Sequence, residues 1–162
     1  MIKIAVSACL LGKNVRYDGR HKYIDLNKYF ASEKYQLSGI CPEVEMGMSI
    51  PRKPIQIIKS QNQIHLVQVE NQNINHTLVM EHWFKKSLNH LSQFHGFILK
   101  SKSPSCGNQT TVHYSNDNNQ YISDGYFVCL LKQHFNNPLI IDEIDLINLN
   151  LLSQFKKRLH LS

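Results

Sequence analysis

Four short apolar runs are spaced along the chain, with longer amphipathic stretches between them. The runs cover residues 2–8, 37–40, 96–99 and 138–141. A continuous apolar run, unlike an alternating one, is typical of a strand buried on both faces, and such strands belong to parallel sheets covered by helices. The pattern therefore predicts one mostly parallel sheet built from these four runs.

The stretches between the runs predict helices and one hairpin. Apolar residues recur at helical spacing in residues 25–34, 76–93 and 123–134, and in a C-terminal stretch that starts at Asp142 or Asp145. Two β-rich runs, 55–59 and 64–69, predict a hairpin. Residues 42–54 and 110–121 have no clear period, so we expect a loop and an irregular segment there.

This order of elements predicts a single α/β domain over residues 1–162, with an open, mostly parallel, Rossmann-like sheet flanked by helices and an inserted β-hairpin. No apolar run approaches the roughly 18 residues that a membrane-spanning helix needs, and the N-terminal run is too short for a signal peptide. We expect a cytoplasmic protein. Four cysteines are too few for a disulfide scaffold, so they are ligands, nucleophiles or buried apolar residues.

The charge balance indicates an anionic partner. The formal net charge is +6 and the pI is near 9.2, which suit a nucleotide, a phosphate or a nucleic acid. The basic residues, however, are scattered in pairs such as Arg52-Lys53 and Lys85-Lys86. This arrangement favours a small anion over a nucleic-acid surface.

Three cysteines follow strands of the predicted sheet. Cys9 and Cys41 come directly after the first two apolar runs, and Cys106 follows the third run after a polar turn. Because the carboxyl ends of parallel strands meet at one edge of a sheet, and ligands bind at that edge, we expect the three sulfurs to converge. Cys129 lies inside a predicted helix among apolar residues and is expected to be a packed core cysteine.

Cysteine spacing alone leaves three interpretations open. Separations of 32 and 65 residues match neither zinc ribbons nor the clustered cysteines of ferredoxins. The three residues form a metal or iron-sulfur site with one open coordination position, or include one reactive thiol, or are unligated core cysteines. Glu43, two residues after Cys41, is a candidate proton donor or acceptor beside such a site; its alternative is a helix cap or a surface charge.

The sequence motifs around the three cysteines distinguish between these interpretations. The chain has SACLLG at 7–12 with VRYDG at 15–19, CPE at 41–43 followed by Gly47 and Pro51-Arg52, and LK at 99–100 with SPSCG at 103–107. These three blocks, in this order, resemble the thiouracil desulfidase family, a group of small bacterial three-cysteine iron-sulfur domains. The resemblance implies a 4Fe-4S cluster held by Cys9, Cys41 and Cys106, with the fourth iron free to take the sulfur of a substrate.

The resemblance also implies a reaction. A thiolated pyrimidine, as base, nucleoside or nucleotide, would exchange its sulfur for the oxygen of water without net redox change, giving the oxo base and hydrogen sulfide. We assign Glu43 as the base that activates water and Ser103 as a residue that holds the substrate or relays the proton. Residues expected to contact the substrate are Lys100, Ser101, Arg16, Tyr17, Asp18 and Arg52.

The implied partners are the thiolated pyrimidine and the iron-sulfur assembly machinery of the cell, and we expect a monomer. Two other classes of function fit parts of the sequence. A redox or sulfur-carrier protein would need only one of the cysteines. A non-catalytic RNA-binding module would use the net positive charge, and its binding would depend strongly on salt.

Overall fold

The structure is a computed structural model, and it describes residues 1–31, 33–117 and 119–161. The strands are β1 (Ile2–Ser7), β2 (Tyr35–Ile40), β3 (Ile55–Ser60), β4 (Gln63–Gln68), β5 (Gly96–Leu99), β6 (Thr111–Ser115), β7 (Gln120–Ser123) and β8 (Ile140–Asp142). The helices are α1 (Asn27–Phe30), α2 (Pro42–Glu45), α3 (Thr77–Leu91), α4 (Tyr126–His134) and α5 (Leu149–Leu159), with 3-10 helices at Ala8–Leu11 and Glu143–Ile147. Within the described ranges, no helix is both long and apolar enough to cross a membrane.

The predicted parallel sheet is confirmed. Its strand order is β2-β1-β5-β8, and every neighbouring pair is parallel. The register pairs Ser7 with Ile40 on one side of the sheet and Leu99 with Asp142 on the other. The carboxyl ends of all four strands therefore lie along one edge.

Helices cover both faces of this sheet, because successive side chains of a strand point to opposite sides. Along β1, Ile4 and Val6 pack in the core that contains Phe30 and Phe155, whereas Ala5 packs in the core that contains Phe84. The helices α1 and α5 thus lie on one face, and α3 and α4 on the other. Burying each large apolar side chain contributes about 1.5–3 kcal/mol, so the two cores hold the edge of the sheet rigidly.

A second sheet, of order β4-β3-β6-β7, contains the predicted hairpin β3–β4. Its turn has no glycine; Gln61 and Asn62 adopt φ angles of 50° and 62° instead, and asparagine tolerates this left-handed region well. The expectation of an irregular 110–121 segment is wrong, because β6 and β7 form a second hairpin there. The buried side chains of β6 are Thr111 and His113, which are polar. The sequence therefore shows no alternation of apolar and polar residues that would predict this strand.

Helix boundaries also differ from expectation, and the helix expected over 123–134 begins only at Tyr126. Within the expected 25–34 helix only Asn27–Phe30 is helical, and Ser32 lies outside the described residues. The expected 42–54 loop begins with α2, which Pro42 can start because proline is preorganised for a first helical turn. The C-terminal helix α5 is capped by Asn148, whose side chain accepts two backbone N–H bonds, and not by Asp142 or Asp145.

Candidate functional site

Cys9, Cys41 and Cys106 line one cavity of about 390 Å³ at the carboxyl edge of the parallel sheet. Cys9 lies in the 3-10 helix directly after β1, and Cys41 directly follows β2. Cys106 lies in the loop that follows β5 and turns back over the edge. The cavity volume falls in the range of about 300–1,000 Å³ that is usual for small-molecule sites.

The loop that carries Cys106 is held by hydroxyl and backbone hydrogen bonds. Ser103 Oγ accepts the backbone N–H groups of Ser105 at 3.2 Å and of Cys106 at 3.1 Å. The first turn of α4 donates to the same loop, for example from Tyr126 N to the Pro104 carbonyl at 2.8 Å. A Cβ atom on Gly125 would lie 2.5 Å from the Ser105 carbonyl oxygen, so only glycine allows this close approach.

Asp142, the last residue of β8, fastens the turn that follows Cys106. Its carboxylate accepts the Asn108 N–H at 3.1 Å and the Thr110 hydroxyl at 2.7 Å. Burial raises the pKa of Asp142 to about 6, and the hydrogen bonds from Thr110 and Asn108 oppose this rise. The carboxylate therefore links β8 to the Cys106 loop at the cost of an unfavourable buried charge.

All three thiols have raised pKa values, and burial is the largest cause. The pKa of Cys9 rises to about 11, and that of Cys106 lies well above its ordinary value. For both of them the second cause is the charge of Cys41, whose own pKa burial also raises. The three sulfurs are thus electrostatically coupled, and a bound cation would stabilise all three as thiolates.

The donor set fits a cluster better than a single ion. In the described parts of the chain, no three His, Cys, Asp or Glu side chains are grouped closely enough to hold one metal ion. An iron-sulfur cluster binds each cysteine through a different iron, so its ligands surround a cavity instead of meeting at one point. Cysteines that follow three different strands and line one cavity match that requirement.

Glu43 lies in α2 and is buried at the cavity wall, with 9% of its surface exposed. Arg52 Nε donates to one carboxylate oxygen at 2.8 Å, and Arg52 Nη2 lies 2.7 Å from that oxygen as an ion pair. Ser105 Oγ donates to the other oxygen at 2.8 Å. The ion pair with Arg52 fixes Glu43, and the hydrogen bond from Ser105 joins the Cys41 segment to the Cys106 loop. The interpretation of Glu43 as a surface charge is therefore excluded.

A second ion pair lies beside the cavity, and sequence reasoning missed one partner, Glu143. Lys100 Nζ donates to Glu143 Oε1 at 2.5 Å, to the Ser101 carbonyl at 2.9 Å and to Ser101 Oγ at 3.0 Å. Glu143 also accepts the N–H and the hydroxyl of Ser101, at 2.6 and 2.9 Å. Its position two residues after the fourth apolar run, close to the positions of Cys9 and Cys41 relative to their runs, could have identified it.

Comparisons with known proteins agree with this geometry. The 2-thiouracil desulfurase family model matches residues 4–143, a span that includes all three cavity cysteines, Glu43 and Glu143. The chain belongs to this family. The motif-based assignment to the desulfidases is therefore confirmed.

Two relatives extend the comparison. The solved structure of a 4Fe-4S-dependent thiouracil desulfidase, TudS, is 30% identical in sequence, with a TM-score of 0.70, and the match covers 95% of this chain and 99% of TudS. The uncharacterized protein YbbK of Bacillus subtilis (strain 168) is 30% identical over 138 residues, which are 80% of this chain and 89% of YbbK. The desulfurase-family fold thus extends over nearly the whole chain.

The remaining predicted residues lie at different distances from the cavity of this desulfurase-family chain. Arg16 and Tyr17 line it, with the Arg16 guanidinium 5.7 Å from the Tyr17 ring centre. Asp18 lies outside the lining, exposed to solvent, and its carboxylate accepts the Arg20 N–H at 3.0 Å. Cys129 lies on α4 away from the lining and is half-buried, less enclosed than the expected core cysteine.

Proposed function

We propose that this protein is a 4Fe-4S-dependent desulfidase that removes sulfur from thiolated pyrimidines by hydrolysis. The observation that carries the proposal is the cavity itself. Cysteines that follow three different strands line it, and its described lining contains no fourth cysteine and no histidine. A three-ligand cluster site leaves one iron without a protein ligand, which is the arrangement that separates reactive centres from structural ones.

Cys9, Cys41 and Cys106 would hold the cluster. When bound, the cluster supplies a soft Lewis-acidic iron, and soft metals select sulfur over oxygen ligands. That preference explains how an enzyme would act on a thiocarbonyl base in the presence of the more abundant oxygen analogue. The cavity does not need to exclude the oxygen analogue by shape.

Glu43 would accept a proton from the water that attacks the ring carbon. Its carboxylate is at the cavity wall, and Arg52 and Ser105 hold both of its oxygens, so its orientation is preorganised. In the overall exchange the carbon–sulfur bond breaks and a carbon–oxygen bond forms. The two protons of water leave with the sulfur as hydrogen sulfide, and no electrons are transferred.

Ser103 would hold the substrate or relay the proton. Its oxygen already accepts two backbone N–H groups, which leaves its own O–H proton to donate toward the cavity. Arg16 and Tyr17 would contact the outer part of the substrate. Lys100 and Ser101 would do so only if their present bonds to Glu143 and to each other exchanged.

The test is sulfide release by protein reconstituted with iron and sulfide under anaerobic conditions. We expect about four irons and four sulfides per chain and a broad visible absorption. The substrate panel contains 2-thiouracil, 4-thiouracil and their nucleosides and nucleotides, and the matching oxo base is quantified beside the sulfide. Equal amounts of both products without added reductant support a hydrolytic, non-redox reaction.

Two outcomes would contradict different parts of the proposal. Protein that binds no iron after reconstitution would eliminate the cluster. Cluster-loaded protein that releases no sulfide from any member of the panel would eliminate the thiolated pyrimidines as substrates. A Cys129→Ser variant is the matched control, because that thiol lies on α4 outside the cavity lining and should change neither result.

A further inference from the structure

The ion pair between Lys100 and Glu143 is oriented by the register of the parallel sheet. Leu99 of β5 pairs with Asp142 of β8, so the next residues, Lys100 and Glu143, leave the two strands side by side. On its other side Lys100 meets β1, where its backbone N–H donates to Ser7 Oγ at 2.9 Å. Lys100 therefore lies between the strand end that leads to Cys9 and the strand end that carries Glu143.

The two charges have different relations to the cavity. Lys100 is part of the cavity lining, whereas Glu143 lies outside that lining. Both are mostly enclosed, with 22% and 11% of their side chains exposed, so solvent screens them only weakly. Lys100 therefore lies at the same cavity as the cysteines, whereas the carboxylate of Glu143 lies on the far side of Lys100, outside the lining.

The hydrogen bonds of Lys100 decide which kind of contribution it makes. An ammonium group has three N–H bonds, and Glu143 Oε1, the Ser101 carbonyl and Ser101 Oγ accept all three. Lys100 then has no donor left for a substrate oxygen or phosphate. Its positive charge nevertheless acts on the cavity at a distance.

We propose that Glu143 is a positioning residue that holds Lys100 as a fixed positive charge at the cavity wall, and that this charge stabilises negative charge on the cluster. The proposal rests on the proposed 4Fe-4S function. Lys100 contributes through its field and not through a hydrogen bond to the substrate. Such preorganised charges are effective in enclosed sites because they need no reorganisation during the reaction.

The cluster's reduction potential measures this field, although the reaction itself transfers no electron. Reduction adds one negative charge to the cluster, and a nearby positive charge favours it. Lys100→Gln removes the positive charge and should shift the potential to a more negative value. Glu143→Gln leaves Lys100 uncompensated and should shift it to a more positive value, and the double variant should return toward the wild type.

The experiment is a redox titration of the full-length, anaerobically reconstituted proteins, followed by electron paramagnetic resonance of the reduced cluster. The matched controls are Lys53→Gln and Glu70→Gln. Those residues also form an ion pair, with a nitrogen–oxygen distance of 2.9 Å, but 61% and 58% of their side chains are exposed. Solvent screens such a pair, so the controls should keep the wild-type potential.

Opposite shifts from the two single variants support the proposal. A purely structural role would instead move both potentials in the same direction or neither beyond the controls, and either result overturns it. If Lys100→Gln does not retain the cluster, the sign of the Glu143→Gln shift decides alone, because glutamine nearly preserves the shape of glutamate. Absence of a cluster in the wild type would overturn the proposed function and this inference together.

Discussion

Glu43→Gln tests the assignment of the catalytic base. In the native protein Arg52 Nε–H and the Ser105 hydroxyl donate to different oxygens of the carboxylate, and Arg52 Nη2 lies 2.7 Å from the oxygen that Nε bonds. A glutamine can turn its carbonyl oxygen toward Arg52 and its amide toward Ser105, whose hydroxyl can rotate to accept. The shape of the wall and the link between the two loops then survive, but the negative charge and the basic oxygen are lost.

The expected loss of stability in Glu43→Gln follows from the burial of Arg52, and the expected loss of turnover follows from the role of Glu43 in proton transfer. Arg52 has only 6% of its side chain exposed, so removing its partner leaves an uncompensated buried charge that costs about 3–5 kcal/mol. For a chain of this size that lowers the thermal unfolding midpoint by roughly 6–20 °C. Loss of a general base lowers turnover by about 10²- to 10⁴-fold.

The assay is sulfide release per assembled cluster, with iron and sulfide measured on every preparation so that a loss of cofactor is not counted as a loss of chemistry. Glu81→Gln is the control, because Glu81 accepts the Tyr126 hydroxyl at 2.7 Å but lies outside the cavity lining. We expect wild-type turnover per cluster from this control. Wild-type turnover per cluster from Glu43→Gln would refute the role of Glu43 as the base.

Three other predictions concern Cys106 and the residues that hold its loop in place. Cys106→Ser should lose the cluster while Cys129→Ser retains it, as iron and sulfide analysis will measure; equal retention would remove Cys106 from the ligand set. Gly125→Ala should displace the Cys106 loop, because its Cβ would lie 2.5 Å from a backbone oxygen, and should cost about 1–3 kcal/mol in a denaturation assay. The pKa of Asp142 is raised to about 6 from 3.8, so the folded state loses stability as pH rises from about 4 through 6. Relative to Asp142→Asn, the native protein should lose about 3 kcal/mol over that interval; a difference between the two that does not change with pH would contradict this.

Local pattern predicted those elements whose buried faces are apolar. The strand β5 and the long helix α3 were placed within two residues, since their apolar residues match the period of the element. The strand β6 was missed because its buried side chains are Thr111 and His113, and His113 satisfies its ring nitrogen with the Asp124 carbonyl at 2.7 Å. A polar residue can be buried wherever the fold supplies a hydrogen-bond partner, and sequence pattern does not contain that information.

For the site too, the sequence predicted some features and the tertiary structure decided others. Placing Cys9 and Cys41 at one edge needed only the sequence, because continuous apolar runs make parallel strands, and parallel strands end together. The partners of the charged residues needed the tertiary structure. The link from Arg52 to Glu43 depends on how the segment after α2 folds back on that helix, and the link from Lys100 to Glu143 depends on the register of β5 against β8. Register and loop path follow from packing over the whole chain, whereas strand type follows from a few consecutive residues.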